Sequence, residues 1–183
     1  MVQKRKINYE DFDLIKVRRK PYGIDFMWRE FGNSKGRMMC EYEEQPHKDF
    51  IDALNNLIPY FAERLCLNSG LDELIEMMPT DEIIKKQVVY KLKQKKLDQV
   101  GINGVIIDSN GTVKKLKILG YVNVSNDSVF SLGCPVIRSI GNLLGYEDEV
   151  FDILNDIKKE AYNMLFLGKI TPKKTDKQLG IEQ

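Results

Sequence analysis

Polar and apolar positions alternate through the first forty residues in the manner of β-strands. Phe12, Leu14 and Lys16 fall on one parity, and Asp13, Ile15 and Val17 on the other. The next run, Tyr22–Phe31, is rich in aromatic residues, and Arg37–Glu43 follows it. Turn chemistry separates the runs: Lys20-Pro21-Tyr22-Gly23 first, then Gly32-Asn-Ser-Lys-Gly36. Three antiparallel strands are predicted here.

The period then changes from two to that of a helix. Phe50, Leu54, Leu57 or Ile58, Phe61 and Leu65 form one apolar stripe, with Pro46 in the expected first turn and Pro59 as a break. Asn68-Ser-Gly70 closes the element. Leu71, Leu74, Ile75 and Met78 predict a short second helix stopped by Pro79, and Thr80 is a candidate cap for a third. Residues 85–99 carry mixed signals. Val88-Val-Tyr90 favours strand and Lys91–Leu97 favours helix; helix is predicted for most of the stretch.

A second β-section follows. Val100–Ile107 and Thr112–Val124 flank Asp108-Ser-Asn110-Gly111, a hairpin signal, and Asn126-Asp127 leads into a further strand over Val129–Arg138. The last stripe, Val150, Leu154, Ile157, Ala161, Met164 and Leu165, predicts a helix with Glu147-Asp148-Glu149 at its start and Gly168-Lys169 past its end. The order predicts an α+β fold, an antiparallel sheet with helices packed on one face. The expected organisation is one domain over 1–169, with its helical segment at about 46–98 between two β-sections, and a mobile tail over 170–183.

Composition supports a packed core: 43% of the 183 residues are hydrophobic. No apolar run nears the roughly 18 residues of a membrane span. Met1–Lys6 is basic without an apolar stretch behind it, unlike a signal peptide, so a cytoplasmic location is expected, with no membrane partner. Cys40, Cys66 and Cys134 are widely spaced and odd in number, which fits reduced thiols.

Charge changes the picture most. The formal net charge is +1, but Glu41–Glu82 holds eleven acids against Lys48 and Arg64, a local net of −9. Immediately after it, residues 85–96 hold six lysines and no acid: Lys85, Lys86, Lys91, Lys93, Lys95 and Lys96. Lysines reach phosphates as point charges and give salt-dependent, sequence-neutral binding. These six are therefore the candidate nucleic-acid contacts, with Lys114, Lys115 and Lys117 extending the patch. Lys4, Arg5, Lys6, Arg18, Arg19 and Lys20 form a second basic cluster. Glu41, Glu43, Glu44, Asp72, Glu73 and Glu76 are the candidate dock for a basic partner. Ordinary solvated helix faces account for both charge runs more simply.

Catalytic signatures are sparse. His47 is the single histidine, so paired-histidine metal sites are excluded, and it lies where the first helix should start. Asp11, Asp13 and Glu41 or Glu43, with Lys16 nearby, could assemble a Mg²⁺ site of nuclease type; solvated strand faces explain them as well. Asp108-x-Asn110-Gly111 lacks the remaining ligands of a calcium loop, and no phosphate-binding glycine loop occurs. A non-enzymatic protein without a cofactor is expected.

Several landmarks form a pattern: Asp11-Phe12-Asp13, Pro46-x-x-x-Phe50-x-x-Ala53-Leu54, Gly101-Ile-Asn-Gly104-Val-Ile-Ile107, Glu160-Ala161-Tyr162 and Gly168-Lys169. In this order they resemble a group of small proteins encoded by phages and prophages of gut bacteria. That group is related to an anti-CRISPR inhibitor of type II effector nucleases. The chain departs from it at the lysine-rich insertion over 80–98 and at Cys134-Pro135. The resemblance implies an inhibitor in the bacterial host cytoplasm whose partner is a CRISPR effector nuclease or its guide-RNA complex. A DNA-binding accessory protein of phage replication or recombination is the alternative, and the metal-dependent nuclease comes third. Exposed edge strands leave a homodimer open.

Overall fold

A computed structural model describes residues 7–31, 37–42, 45–67, 81–94, 96–110, 113–125, 128–134 and 147–169. The fold is α+β, as expected. The strands are β1 (Phe12–Lys20), β2 (Gly23–Glu30), β3 (Arg37–Tyr42), β4 (Val100–Asn110), β5 (Val113–Ser125) and β6 (Ser128–Gly133). Among the described residues the helices are α1 (Lys48–Asn55), α2 (Ile58–Leu67), α3 (Glu82–Lys93) and α4 (Glu147–Phe166), with a 3₁₀ turn at Leu97–Gln99. Among the described residues no helix is long and apolar enough to cross a membrane.

The six strands form one antiparallel sheet in the order β3-β2-β1-β4-β5-β6. It consists of two three-stranded meanders joined through their first strands, β1 and β4. That junction is short: Lys16 pairs with Ile106, Val17 with Val105 and Arg18 with Gly104. Gly104 is required there by close approach. A Cβ on it would lie 2.9 Å from the Val17 carbonyl carbon, 3.0 Å from Arg18 Cα, and closer still to the Val17 carbonyl oxygen. Backbone cannot yield as a flexible side chain would.

All four described helices pack on one side of the sheet. α1 and α2 lie against β4, α3 against β5, and α4 against β1 and α1. The strand positions facing them are apolar and buried: Phe12, Leu14 and Val17; Ile24, Phe26 and Trp28; Ile102 and Val105; Leu116, Ile118 and Val122; Phe130 and Leu132. From the helices come Phe50, Leu54, Phe61, Leu65, Val88, Ile157 and Ala161. Phe166 on α4 meets Trp28 edge-on at 5.8 Å and Phe12 at 5.6 Å, fastening the last helix to the first two strands.

Several details differ from expectation. Simple alternation aligned Lys16 with Phe12 and Leu14. A bulge between Leu14 and Lys16 resets the parity, so Val17 enters the core and Lys16 faces outward. Pro46 lies just before the helix rather than in its first turn, because His47 is the N-cap, its Nδ1 accepting from the Asp49 N–H at 3.2 Å. Pro59 marks the break between α1 and α2, as predicted. Asp81 caps α3, its Oδ1 accepting from the Ile83 N–H at 2.7 Å; Thr80 lies outside the described residues. So do the predicted short helix through Met78, the segment from Pro135 to Arg138 and the tail over 170–183. β4 runs on to Asn110, which pairs with Val113, so Asp108, Ser109 and Asn110 belong to the strand and not to the predicted turn; Gly111 lies outside the described residues.

The C-terminal end of α4 is closed by Gly168 at φ 69°, with the N–H groups of Leu167 and Lys169 both donating to the Asn163 carbonyl. Lys169 Nζ then bridges Asp49 on α1 and Glu160 on α4, each at 2.6 Å. The hydrogen bond from Lys169 lowers the Asp49 carboxyl below the usual range, and the hydrogen bonds to Asp49 and then Glu160 raise Lys169. Burial raises the thiol of Cys134, which is fully enclosed.

Two outcomes follow. Gly104→Ala should part the β1–β4 ladder and lower stability by about 1–3 kcal/mol or prevent folding, read as the urea midpoint. Asp49 has a lowered pKa in the folded chain, so its contribution is present above the ordinary carboxylate pKa and is lost as pH falls through the folded value. Asp49→Asn should therefore lower the melting temperature slightly at neutral pH, and its difference from the parent should shrink as pH falls below the ordinary carboxylate range.

Candidate nucleic-acid interface

The six lysines of residues 85–96 do not form one surface. Lys85 pairs with Glu82 at 2.9 Å, with its side chain only 13% exposed. Lys91 turns inward. Its Nζ donates to the Asn123 carbonyl at 2.6 Å and the Val124 carbonyl at 2.7 Å, holding α3 against β5. Lys86 and Lys93 are exposed on α3. Lys96 follows the helix, with Nζ 5.3 Å from the centre of the Tyr90 ring. Lys95 lies outside the described residues.

The acidic candidates are less completely placed. Glu41 is on β3, paired in register with Asp25 of β2. Glu43, Glu44, Asp72, Glu73 and Glu76 lie outside the described residues. Of the other acids in that block, Asp49 is engaged by Lys169 and Glu82 by Lys85.

The nuclease constellation is not assembled. Asp13 pairs across the sheet with Arg29, whose Nε lies 2.6 Å from its carboxylate. Glu41 stands two strands away and opposite Asp25, four residues along β2 from Arg29. At about 4.8 Å between strands and 3.3 Å per residue, the two backbones are about 16 Å apart. Among the described residues no group of three or more His, Cys, Asp or Glu could hold a metal ion.

The arrangement that sequence reasoning did not assemble is the face of the sheet turned away from the helices. Strand alternation puts Asp13, Lys16, Arg18 and Lys20 of β1 on it, with Asp25, Met27 and Arg29 of β2. From β4 and β5 come Gly101, Gly104, Ile106, Lys115, Lys117, Leu119 and Tyr121. Among the described residues no helix packs there. Of the side chains just named six are basic and two are acidic, and these two acids are paired, Asp13 with Arg29 and Asp25 with Lys20 at 2.9 Å; register also sets Asp108 of β4 opposite Lys115 and Glu41 of β3 opposite Asp25. Lys16, Arg18, Lys115 and Lys117 have no ion-pair partner among the described residues. Registry places them in rows: Met27, Lys16, Ile106 and Lys117 lie side by side across four strands. Met27, Ile106, Leu119 and Tyr121 are partly exposed and do not join the core.

Lys115 and Lys117 thus belong with the bases of β1 and not with α3, which lies on the other face. The local signal was present, since Lys115-Leu116-Lys117-Ile118 alternates strictly. What was missing was the adjacency of β1 and β4.

Comparison with protein-family models, with curated proteins and with solved structures returns no match.

The lysines of α3 should separate on substitution. Lys91→Met should cost about 1–3 kcal/mol by leaving two carbonyls without their charged donor, whereas Lys86→Ala and Lys93→Ala should stay within about 0.5 kcal/mol of the parent; chemical denaturation of the three variants checks this.

Proposed function

We propose that the protein is a non-enzymatic interaction protein that engages a nucleic-acid-containing complex. In its most concrete form it is an inhibitor of a type II CRISPR effector nuclease bound to guide RNA, acting in the bacterial cytoplasm. The observation that carries the polyanion part is the outward sheet face, where Lys16, Arg18, Lys115 and Lys117 stand without ion-pair partners among the described residues. Charge so arranged attracts phosphate and speeds encounter. The exposed Lys86, Lys93 and Lys96 at α3 offer a second basic contact on another side of the molecule. Two basic surfaces suit a protein that meets the nucleic acid of such a complex at more than one point. The inhibitor form draws its support from the sequence resemblance and from the −9 charge of Glu41–Glu82, a match for the basic groove of such a nuclease. The same sheet face favours the second reading, a DNA-binding accessory protein of phage replication or recombination that needs no protein target.

One pair of measurements tests this. Binding of a dye-labelled 12-nucleotide strand is measured between 50 and 200 mM salt, and pull-down with a guide-loaded type II effector is scored for association and cleavage. With four phosphates neutralised, log K should fall against log salt with a slope of about −3 for a single strand. Association with loss of cleavage supports the inhibitor form. Nucleic-acid binding without association leaves the accessory reading. Absence of nucleic-acid binding at 50 mM salt overturns the assignment of the sheet face.

A further inference from the structure

The outward face holds one aromatic side chain in an unusual setting. Tyr121 of β5 is paired in register with Gly101 of β4, and the neighbours Val100 and Ile102 of Gly101 are buried in the core. Gly101 and Tyr121 therefore share the outward side. A Cβ built on Gly101 would lie 2.5 Å from Tyr121 Cε1 and nearer still to Cζ and Oη. Near equality of the distances to those three atoms puts that point over the face of the ring, not beside its edge. Side chains on a strand ordinarily stand perpendicular to the sheet. Here the absent Cβ lets the Oη end of the ring lie over Gly101.

Tyr121 is partly exposed. Ser131, the cross-strand partner of Tyr121 on β6, is small. Tyr121 meets no other aromatic ring among the described residues, unlike the cluster of Phe12, Trp28, Tyr162 and Phe166 on the opposite side. Along β5 from Tyr121 come Leu119 and then Lys117 on the same side, the lysine about 13 Å away. Lys16 is two strands from Lys117 in its row, about 10 Å away, and Arg18 lies in the next row opposite Gly104.

A flat ring beside an apolar strip, bordered by unpaired bases, matches the chemistry of one ligand class. Single-stranded nucleic acid exposes unstacked base faces and a phosphate backbone together. Duplex hides its base faces in the stack. Aromatic rings on an open sheet accept bases by stacking, and lysines beside them hold the phosphates. We propose that the outward sheet face binds single-stranded nucleic acid, with a base stacked on Tyr121 and the backbone held by Lys16, Arg18 and Lys117. This rests on the nucleic-acid reading above and narrows it to unpaired strands. Stacking is tolerant of base identity, so no sequence preference is required.

The test uses the full chain with four probes: 12-nucleotide single strands of DNA and RNA, and the corresponding duplexes, read by fluorescence anisotropy at 50 mM salt. The parent should prefer both single strands to both duplexes. Tyr121→Leu retains apolar cover over Gly101 and removes the ring; single-strand affinity should fall about 5- to 100-fold with duplex affinity unchanged. Tyr121→Phe should bind as the parent does. Gly101→Ala retains the tyrosine and lifts its ring from the sheet, and should resemble Tyr121→Leu. Lys16→Gln with Lys117→Gln should reduce the magnitude of the single-strand salt slope by about 1.4. Thermal melting establishes that each variant is folded, and Tyr121→Leu serves if Gly101→Ala is not. Equal affinity for duplex and single strand, or a folded Tyr121→Leu that binds like the parent, overturns the stacking proposal while leaving a charge-only nucleic-acid protein. No binding to any of the four probes overturns both.

Discussion

The contact on which the molecule depends is the short ladder between β1 and β4. Its three registered pairs are all that join the two meanders within the sheet. The chain can form it only because Gly104 has no side chain to push against the Val17 carbonyl. Every larger feature uses this junction. The helices cover a continuous apolar surface because Phe12, Leu14 and Val17 lie beside Ile102 and Val105, and Phe61 can settle across Gly120, where a Cβ would come within 2.6 Å of its ring. On the other side the same junction brings Lys16 and Arg18 into line with Lys117 and Leu119.

The sheet therefore divides labour by parity. Residues facing the helices are apolar almost without interruption, while residues facing away are charged, small or partly apolar. Glycine does opposite things on the two sides. At Gly120 the missing side chain admits a ring from the core, and at Gly101 it gives a ring on the outside somewhere to rest. Bulges at Leu14/Lys16 and Ile102/Gly104, one in each central strand, keep the two parities aligned across the junction.

Much of this architecture was legible in the sequence, and the reasons differ by element. α4 was readable from its single stripe and its acidic start, because a helix that buries one face repeats its apolar residues locally. The alternating segments gave the strands and hence the α+β class. The bulge in β1 could not be read, since nothing local distinguishes an inserted residue from a continued alternation. The lysine-rich stretch was readable as a helix but not as a surface: Lys91 is spent on two carbonyls of β5 that only the tertiary fold brings near. The outward basic face was the least legible feature. Its members are 16, 18, 115 and 117, and no window of sequence spans them. Only the strand order makes them neighbours.

That strand order also shapes how the chain must be made. β1 waits for its second neighbour until β4 has been synthesised, nearly ninety residues later. At about 5–20 residues per second the wait is about 5 to 20 seconds, during which the first meander stands with one long edge unpaired. Unpaired edges recruit other chains unless charge keeps them apart. Lys16, Arg18 and Lys20 line that edge. Like charges on that strand disfavour its pairing with a second copy of itself.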